Sequence, residues 1–244
     1  MAKKAIIIGA STGIGKALAE EMSQADYEVG LAARSLDKLE AISKNLPGKS
    51  SFIEMDVTRF DDAQKQLEKL IAQLGGMDII VLNAGLTNNN KTFEWESEKY
   101  VIDVNITGFS AMLNFAYHYF QEQGSGHIVS ISSVASLLPN PGSAVYNASK
   151  AFVSLYMEGI RLKLIHKNAP IHLTDIKPGF VLTPLTESRK DMFWVCGPEL
   201  AARQILSAIE KKEKMVYVPK RWIVVAALIR MLPKRIIQFL LIRK

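Results

Sequence analysis

The sequence predicts an α/β protein in which helices cover both faces of one parallel sheet, a doubly wound fold. Apolar runs of four to six residues alternate with longer stretches of helical periodicity along most of the chain, and this order is typical of such a sheet. Several predicted strands are apolar on both faces, as a sheet buried from both sides requires. The predicted strands are 5–8, 28–32, 51–55, 79–82, 127–131, 171–176 and 215–218, and the predicted helices lie near 14–25, 36–45, 61–74, 96–122, 144–168 and 198–211.

Composition and charge argue against several classes of protein. The 244 residues are 48% hydrophobic and 22% charged, which is typical of a globular domain rather than of a disordered chain or a multi-pass membrane protein. The net charge is +6, but residues 211–244 hold ten Lys or Arg and one acid, so they carry +9 and the other 210 residues carry −3. Because the body is slightly acidic, no nucleic-acid partner is expected.

Cysteine and histidine usage gives two further expectations. The single cysteine, Cys196, cannot form an internal disulfide, which favours a reducing compartment such as the cytoplasm. The first apolar run stops after four residues, short of the roughly seven that the core of an export signal needs, so a cytoplasmic location is expected. The four histidines are scattered without Cys or His neighbours at ligand spacing, so no metal site is predicted.

A glycine-rich turn follows the first predicted strand and opens the first predicted helix. Residues 9–15 read Gly-Ala-Ser-Thr-Gly-Ile-Gly. Glycines in this place allow a tight turn and let the backbone approach a pyrophosphate, which the helix N-terminus then stabilises. An ordinary glycine turn is the alternative, and the position after the first strand is what favours dinucleotide binding. The residues predicted to bind a cofactor here are Gly9, Ser11, Thr12, Gly13, Ile14 and Gly15.

A tyrosine and a lysine lie four residues apart at the start of the predicted helix 144–168. Tyr146 and Lys150 therefore share one helix face, and a fixed cation beside a phenol lowers the pKa of that phenol. Ser133 lies thirteen residues upstream, at the C-terminal end of a predicted strand, which is the edge where ligands bind in such sheets. The pair alone could be a surface coincidence, but together with Ser133 it predicts an acid–base site.

In this order the motifs resemble those of the short-chain dehydrogenase/reductase family, and the resemblance covers residues 3 to about 218. It implies a Rossmann fold in a single domain, residues 1–218, that binds a nicotinamide cofactor and carries the catalytic residues. The glycine spacing is looser at the front than the common dinucleotide fingerprint. The residues that carry the resemblance beyond the glycine turn are Asp56-Val57, Asn83-Ala84-Gly85, Asn105, Ser133, Tyr146, Lys150, Pro178-Gly179 and Thr183.

The resemblance also implies a role for each of four catalytic residues. Tyr146 would be the general acid in ketone reduction or the base in alcohol oxidation, and Lys150 would lower its pKa and hydrogen-bond the nicotinamide ribose. Ser133 would position the carbonyl oxygen, and Asn105 would hold a water that links Lys150 to solvent. A strand-end cap and a helix-kink amide are the alternatives for Ser133 and Asn105. The other residues implied to line the cofactor site are Asp56, Val57, Asn83, Ala84, Gly85, Pro178, Gly179, Val181 and Thr183.

The end of the second strand indicates which nicotinamide cofactor is bound. NAD-dependent enzymes place an acid there for the ribose hydroxyls, but this position holds Ala33, and Arg34 follows. An arginine can pair with the additional ribose phosphate of NADP and stack on the adenine. Thr12 supplies no charge where many NADP-dependent members of the family carry a second basic residue. NADP(H) is therefore the expected cofactor, with Arg34 as a solvated loop residue the alternative.

Two segments are expected to shape the substrate site. Residues 136–140 follow Ser133, and the loop 185–196 carries Met192-Phe193-Trp194, which favours a hydrophobic or lipid-linked substrate. The alternative is that these three side chains pack on the core or on a partner subunit.

The last 26 residues, 219–244, form a predicted basic amphipathic tail. Its uncharged runs, 222–229 and 236–242, are too short for a spanning helix, which needs about 20 residues, and Pro233 lies between them. We expect two short helices that contact a membrane interface through residues 220–244, since aromatic, aliphatic and basic side chains together favour anionic lipid. Packing on the body or in an oligomer is the alternative.

These expectations combine into one functional hypothesis. The chain is predicted to be an NADP(H)-dependent oxidoreductase that reduces a small-molecule ketone or oxidises a secondary alcohol. The resemblance also implies a homodimer or homotetramer through the long helices near 96–122 and 144–168. The alternatives are a non-catalytic cofactor-sensing or membrane-scaffolding protein on the same fold, and the reductive half of an epimerisation with a partner oxidase.

Overall fold

One seven-stranded parallel sheet forms the centre of the molecule. The computed structural model describes residues 2–90, 92–187 and 192–242. The strands lie in the order β3-β2-β1-β4-β5-β6-β7, which confirms the predicted doubly wound fold. Their bounds agree with the predicted ones to within two residues, and they are β1 (Lys4–Ile8), β2 (Glu28–Ala33), β3 (Ser50–Glu54), β4 (Ile79–Leu82), β5 (Gly126–Ile131), β6 (Ile171–Pro178) and β7 (Met215–Val218).

Helices connect the strands and cover both faces of the sheet. The α-helices are α1 (Gly13–Gln24), α2 (Leu36–Asn45), α3 (Phe60–Leu74), α4 (Trp95–Ile102), α5 (Phe109–Gln123), α6 (Ala144–His166), α7 (Pro198–Glu210), α8 (Trp222–Met231) and α9 (Lys234–Ile242). A π-helical segment, Asp103–Gly108, joins α4 to α5, so the predicted helix near 96–122 is continuous but locally widened. Such segments are frequent at functional sites, and Asn105 lies inside this one.

Strand β1 shows why apolar residues occupy consecutive positions in these strands. Ile7 belongs to the core that α1, α2 and α7 cover, whereas Ile6 and Ile8 belong to the core under α3, α5 and α6. Successive side chains of a strand point to opposite faces, so a sheet covered on both sides needs an apolar residue at every position. This explains the unbroken apolar runs in the sequence.

The strand order reverses between β1 and β4, because β2 lies on one side of β1 and β4 on the other. Ligands of open α/β sheets bind in the crevice that opens at this point, beyond the carboxyl ends of the strands. The segments that follow β1, β4, β5 and β6 therefore meet at one edge of the sheet.

The tail contains two short helices with Pro233 between them, as predicted. In α8, Trp222 and Ala226 are buried against Tyr217 and against partly buried side chains that include Val134 and Phe180. The division of the chain into 1–218 and 219–244 remains a prediction. Among the described residues, no helix has both the length and the apolar character that crossing a membrane requires.

Candidate active site

The turn after β1 has a backbone that only glycine tolerates. Gly9 and Gly13 have positive φ angles of +89° and +55°, a region that side chains disfavour. A Cβ atom on Gly15 would lie 2.2 Å from the carbonyl oxygen of Gly9, and one on Gly9 would lie 2.7 Å from the amide nitrogen of Ala84. The Asn83 side chain braces the turn by donating to the carbonyl oxygen of Gly9 at 2.7 Å.

The N-terminus of α1 opens toward the same turn. Thr12 is the N-cap and makes no capping hydrogen bond with its side chain, and the first turn of α1 carries no acidic residue. The amide groups at the start of a helix have no partners within it, and together with the helix dipole they favour an anion. The turn therefore offers a cradle of backbone amides that fits a pyrophosphate.

A cleft of about 450 Å³ runs from this turn along the carboxyl edge of the sheet. All but two of the predicted catalytic and cofactor-binding residues line it. The two exceptions are Gly15, which lies behind the turn, and Asn105. The predicted residues that line the cleft are Gly9, Ser11, Thr12, Gly13, Ile14, Arg34, Asp56, Val57, Asn83, Ala84, Gly85, Ser133, Tyr146, Lys150, Pro178, Gly179, Val181 and Thr183.

The end of β2 presents a cation to the cleft. Arg34 is exposed and donates a hydrogen bond to the hydroxyl of Tyr100 on α4. The preceding residue, Ala33, is buried and supplies no acid. A planar guanidinium beside a phenol ring edge, at the rim of a polar cleft, can receive a phosphate group.

Asp56 both closes a turn and lines the cleft. Its carboxylate accepts hydrogen bonds from the amide and the hydroxyl of Thr58 at 2.9 and 2.8 Å. Aspartates commonly make this contact after a strand. Asp56 therefore forms a turn and also contributes to the cleft wall.

Ser133 lies where β5 ends and a short 3₁₀ turn (Val134–Leu137) begins. Its hydroxyl donates to the carbonyl oxygen of Pro178 at 3.3 Å and accepts from the amide of Ala135 at 3.0 Å. The serine therefore caps the turn, as one of the two interpretations expected, and its side chain also faces the cleft. These bonds fix the hydroxyl at the carboxyl edge of the sheet.

Lys150 and Tyr146 lie together on one face of α6. The Lys150 ammonium is 5.9 Å from the centre of the Tyr146 ring and donates to the carbonyl oxygen of Ile131 at 2.9 Å. Burial lowers the pKa of Lys150 from 10.5 to about 8, while the negative charge of Asp175 acts to raise it. The lysine is therefore mostly charged at neutral pH, and a cation this close favours the phenolate form of a tyrosine.

Asn105 lies behind Lys150 rather than in the cleft wall. It is 1% exposed, and its amide group exchanges hydrogen bonds with the backbone of Leu86 and donates to the hydroxyl of Ser149 at 3.0 Å. A Cβ atom on Gly85 would lie 3.2 Å from the Lys150 ammonium and 3.4 Å from the Asn105 carbonyl oxygen. Asn105, Gly85 and Lys150 are therefore immediate neighbours.

Comparison with known proteins identifies the family. The sequence model of the short chain dehydrogenase family matches residues 3–193, well over half of the chain. The chain belongs to the short-chain dehydrogenase family. Among the described residues of this short-chain dehydrogenase, no group of three or more His, Cys, Asp or Glu side chains could hold a metal ion.

Individual relatives are oxidoreductases too. This short-chain dehydrogenase is 36% identical over 189 residues to an uncharacterized oxidoreductase of Myxococcus xanthus, covering 75% of the chain and 74% of that protein. It is 31% identical over 200 residues to a 3-oxoacyl-[acyl-carrier-protein] reductase of Staphylococcus aureus, covering 78% and 79%. A short chain dehydrogenase/reductase from Burkholderia phymatum, solved in complex with NAD, has the same fold, with a TM-score of 0.84, 20% identity and coverage of 93% and 92%.

Sequence reasoning missed several residues in the cleft wall of this short-chain dehydrogenase. Ser35 follows Arg34 directly, so its position next to the cation could have indicated it. The apolar residues carry no comparable signal, because they read as ordinary core positions. The missed residues include Ile8, Ser35, Met55, Leu86 and Val104.

An aromatic cluster lies where the tail of this short-chain dehydrogenase meets the cleft residues Pro178 and Gly179. The rings of Phe193 and Trp222 are 4.9 Å apart, and Phe180 and Trp194 also contact Trp222. A Cβ atom on Gly179 would lie 2.1 Å from the Trp222 ring, so glycine is required there by the tail as well. Phe193 and Trp194 remain about half exposed. Residues 188–191 of the predicted substrate loop lie outside the described residues.

A second cavity of this short-chain dehydrogenase is mostly apolar and lies apart from the cleft. It measures about 560 Å³ and is bounded by residues 136–141, by α6 and by Gln238 and Leu241 of α9. It shares no lining residue with the cleft. The tail therefore contributes to a concave surface beside the segment that follows Ser133.

Proposed function

We propose that this short-chain dehydrogenase is an NADP(H)-dependent reductase of a ketone, acting in reverse as a dehydrogenase of a secondary alcohol. One observation carries the proposal: Ser133, Tyr146 and Lys150 line the same cleft as the glycine turn. A binding protein without catalysis needs the glycine turn but has no use for a phenol, an ammonium and a hydroxyl at the other end of the cleft.

The residues divide the chemistry between them. The glycine turn and α1 fit the pyrophosphate of a nicotinamide dinucleotide, and the bound cofactor supplies the hydride. Ser133 orients the carbonyl oxygen by hydrogen bonding and stabilises the negative charge that develops on it. Tyr146 donates its hydroxyl proton to that oxygen, and the Lys150 cation stabilises the phenolate that results. Asn105, adjacent to Lys150, holds a water that links Lys150 to solvent, and Tyr146 regains its proton by this route.

The choice of NADP(H) rests on Arg34. The fold does not distinguish the two cofactors, since the B. phymatum protein of the same fold was solved with NAD. The exposed guanidinium at the cleft rim and the missing acid at Ala33 favour a cofactor with an additional phosphate, because a charged hydrogen bond to phosphate contributes roughly 1.5–3 kcal/mol.

Replacing Arg34 with alanine is expected to weaken NADPH binding about tenfold or more and to leave NADH binding nearly unchanged. Titration of the purified protein with each cofactor, read by nicotinamide fluorescence, measures both constants. Lys38→Ala is the matched control, because Lys38 is an exposed cation on α2 outside the cleft wall. Tighter binding of NADH than NADPH by the parent protein would reject the NADP(H) assignment, and an Arg34→Ala variant with parental NADPH affinity would reject the role of Arg34.

The substrate is proposed to be hydrophobic or lipid-linked. Phe193 and Trp194 expose apolar surface at the end of the cleft that Gly179 lines, and apolar pockets take apolar ligands. The S. aureus relative is by name a reductase of 3-oxoacyl groups, which is a ketone on an acyl chain.

NADPH consumption with ketones of increasing chain length tests this function. The expected result is turnover with a KM that falls as the chain lengthens. No oxidation of NADPH with any ketone, despite tight NADPH binding, would contradict the reductase and favour the non-catalytic alternative.

The tail is proposed to contact an anionic membrane on its cytoplasmic face. In α8 the side chains of Trp222 and Ala226 are buried, whereas Val224, Leu228 and Met231 are more than half exposed, Met231 to 81%. Residues 219–244 hold seven Lys or Arg and no acid. Outward apolar side chains with basic neighbours are what a helix needs to lie in a lipid headgroup region.

Replacing Arg230 and Arg235 with glutamate is expected to reduce binding to vesicles that contain anionic lipid at least tenfold, since each basic residue near the surface contributes about 1 kcal/mol. Sedimentation at low and high salt measures the bound fraction. Lys65→Glu with Lys69→Glu is the control, because it makes the same change in net charge on exposed positions of α3. A parent protein that stays in the supernatant at low salt would show that the tail packs or oligomerises instead.

A homodimer or homotetramer through the long helices is also proposed. On α6 the side chains of Leu155, Leu162 and Ile165 are 76%, 61% and 59% exposed. Apolar surface of this extent on one helix is commonly covered in an oligomer.

A further inference from the structure

A buried ion pair lies on β6, directly behind the acid–base residues. Asp175 and Lys177 are each 4% exposed, and the Lys177 ammonium is 2.9 Å from a carboxylate oxygen of Asp175. The two residues are two apart on one strand, so their side chains lie on the same face of the sheet. This face is the one that α6 covers, since Leu173 on the same face packs in the core with Met157 of α6.

Hydrogen bonds surround the pair with serines from three elements. The second carboxylate oxygen of Asp175 accepts from the hydroxyl of Ser130 on β5 at 3.1 Å. The Lys177 ammonium donates to the hydroxyl of Ser154 on α6 and, at 3.4 Å, to that of Ser136. The pair is thus built into its surroundings rather than trapped by chance.

Two of these contacts lead to Ser133. The Ser136 hydroxyl donates to the carbonyl oxygen of Ser133 at 2.6 Å, so Lys177 reaches the backbone of Ser133 through one side chain. Lys177 also precedes Pro178, whose carbonyl oxygen accepts the hydroxyl proton of Ser133 at 3.3 Å. The position of the Ser133 hydroxyl therefore depends on Lys177 from two directions.

The pair also faces the charge at the centre of the site. Asp175 accepts a hydrogen bond from Ser130 of β5, and the next residue of that strand, Ile131, accepts one from the Lys150 ammonium at 2.9 Å. At this short range the negative charge of Asp175 acts to raise the pKa of Lys150, against the larger effect of burial. Tyr217 of β7, the strand partner of Lys177, also faces the pair. Burial raises the pKa of its hydroxyl, Arg230 of α8 acts to lower it, and Asp175 acts to raise it. Asp175 thus acts on two lysines. Lys177 is its ion-pair partner, and Lys150 is the neighbour of Tyr146.

Stability alone gives little reason for such a pair. The desolvation of two buried charges offsets most of their attraction, and well-packed apolar residues often serve as well or better. We propose that Asp175 and Lys177 are positioning residues of the reductase: they hold Ser133 in place through Ser136, and they set the charge balance around Lys150. The proposal rests on the proposed function only for its kinetic consequence.

Two single variants move the charge balance in opposite directions. Lys177→Met releases Asp175 from its partner, so the pKa of Lys150 should rise above its parental value by about one unit. Asp175→Asn removes the anion, so the pKa of Lys150 should fall by a similar amount. The double variant should lie between them. The pKa of Lys150 is measured by NMR titration of ¹³C-labelled lysine side chains, assigned with Lys150→Met, which needs no enzymatic activity.

The pH dependence of kcat should shift in the same direction as the pKa of Lys150 in each variant. In ketone reduction the alkaline limb of the pH profile of kcat should move up in Lys177→Met and down in Asp175→Asn. Ser136→Ala separates the two roles, because it breaks the link to Ser133 without changing a charge: kcat should fall about tenfold, with the pKa of Lys150 unmoved. Ser154→Ala, which also loses a contact to Lys177 but not the link to Ser133, is its matched control.

The outcomes distinguish the two proposals. A parent protein that binds NADPH but reduces no ketone contradicts the proposed function, and the NMR titration still tests the charge balance. The inference is overturned if both single variants fold and their Lys150 pKa values either shift in the same direction or do not shift. If the single variants fail to fold by circular dichroism, Ser136→Ala decides, and a parental kcat in that variant would overturn the inference.

Discussion

Tyr146→Phe is expected to lower kcat for ketone reduction about a thousandfold while NADPH binding stays within about threefold of the parent value. A positioned general acid contributes roughly 10²–10⁴ in rate, and phenylalanine keeps the ring but removes the only proton that the proposed chemistry transfers. The ring contact with the Lys150 ammonium, 5.9 Å away, survives the change. Steady-state kinetics and cofactor titration measure the two quantities separately.

Tyr156→Phe is the matched control for this prediction. Tyr156 lies on the same helix and packs against the core under α3, α5 and α6, but it does not line the cleft. Its kcat should equal that of the parent. A Tyr146→Phe variant that retains more than a tenth of the parent kcat would mean that another group donates the proton, and the assignment of Tyr146 as general acid would be wrong.

The sequence predicted the fold well because the fold depends on local patterns. The run Ala5 to Ile8 is apolar at every position, which only a doubly covered strand requires, and the glycines at 9, 13 and 15 mark the turn that follows it. The proposed catalytic residues could be predicted from their order along the chain, since β5 brings Ser133 to the sheet edge and α6 presents Tyr146 and Lys150 together. These are short-range features.

The boundary of β6 shows where local patterns are insufficient. The sequence predicts that this strand ends at Ile176, before a lysine, whereas it extends to Pro178. Lys177 continues the strand because Asp175, two residues earlier, neutralises its charge inside the core. A lysine therefore does not end a strand when an opposite charge lies beside it on the same strand face. The apolar pattern of the sequence does not reveal such a partner.

Contacts between distant segments could not be predicted from the sequence, because local patterns do not encode them. Arg34 meets Tyr100 from α4, and Gly179 is in contact with Trp222 from the tail. The π-helical segment around Asn105 has no periodicity that distinguishes it from the flanking helices. Each of these features depends on how complete elements pack, which a pattern along one segment does not encode.

The buried ammonium of Lys150 is expected to destabilise the folded protein, although the same cation is needed for the proposed activity. Burial lowers the pKa of Lys150 from 10.5 to about 8, so between these two pH values the unfolded chain binds more protons at this site than the folded protein. Stability rises with pH wherever the unfolded state binds more protons. Below pH 8 both states are protonated, and the folded protein bears the full cost of the buried charge, about 3 kcal/mol at 1.36 kcal/mol per unit.

Lys150→Met should therefore unfold at higher urea concentration than the parent at pH 7, by up to about 3 kcal/mol in free energy. The carbonyl oxygen of Ile131 loses its donor, which reduces the gain by about 1 kcal/mol. The difference from the parent should shrink as the pH rises from 7 to 9.5, because the parent regains stability as Lys150 loses its proton. Urea unfolding at three pH values in this window measures the trend.

Lys163→Met is the control for the pH trend, since Lys163 is exposed on the same helix. Its difference from the parent should stay constant with pH. A Lys150→Met variant that is less stable than the parent at pH 7, by an amount independent of pH, would mean that the ammonium is not destabilised by burial. If the expected trend is found together with loss of ketone reduction, the buried charge destabilises the folded protein at neutral pH and is needed for catalysis, as expected of a lysine that stabilises the Tyr146 phenolate.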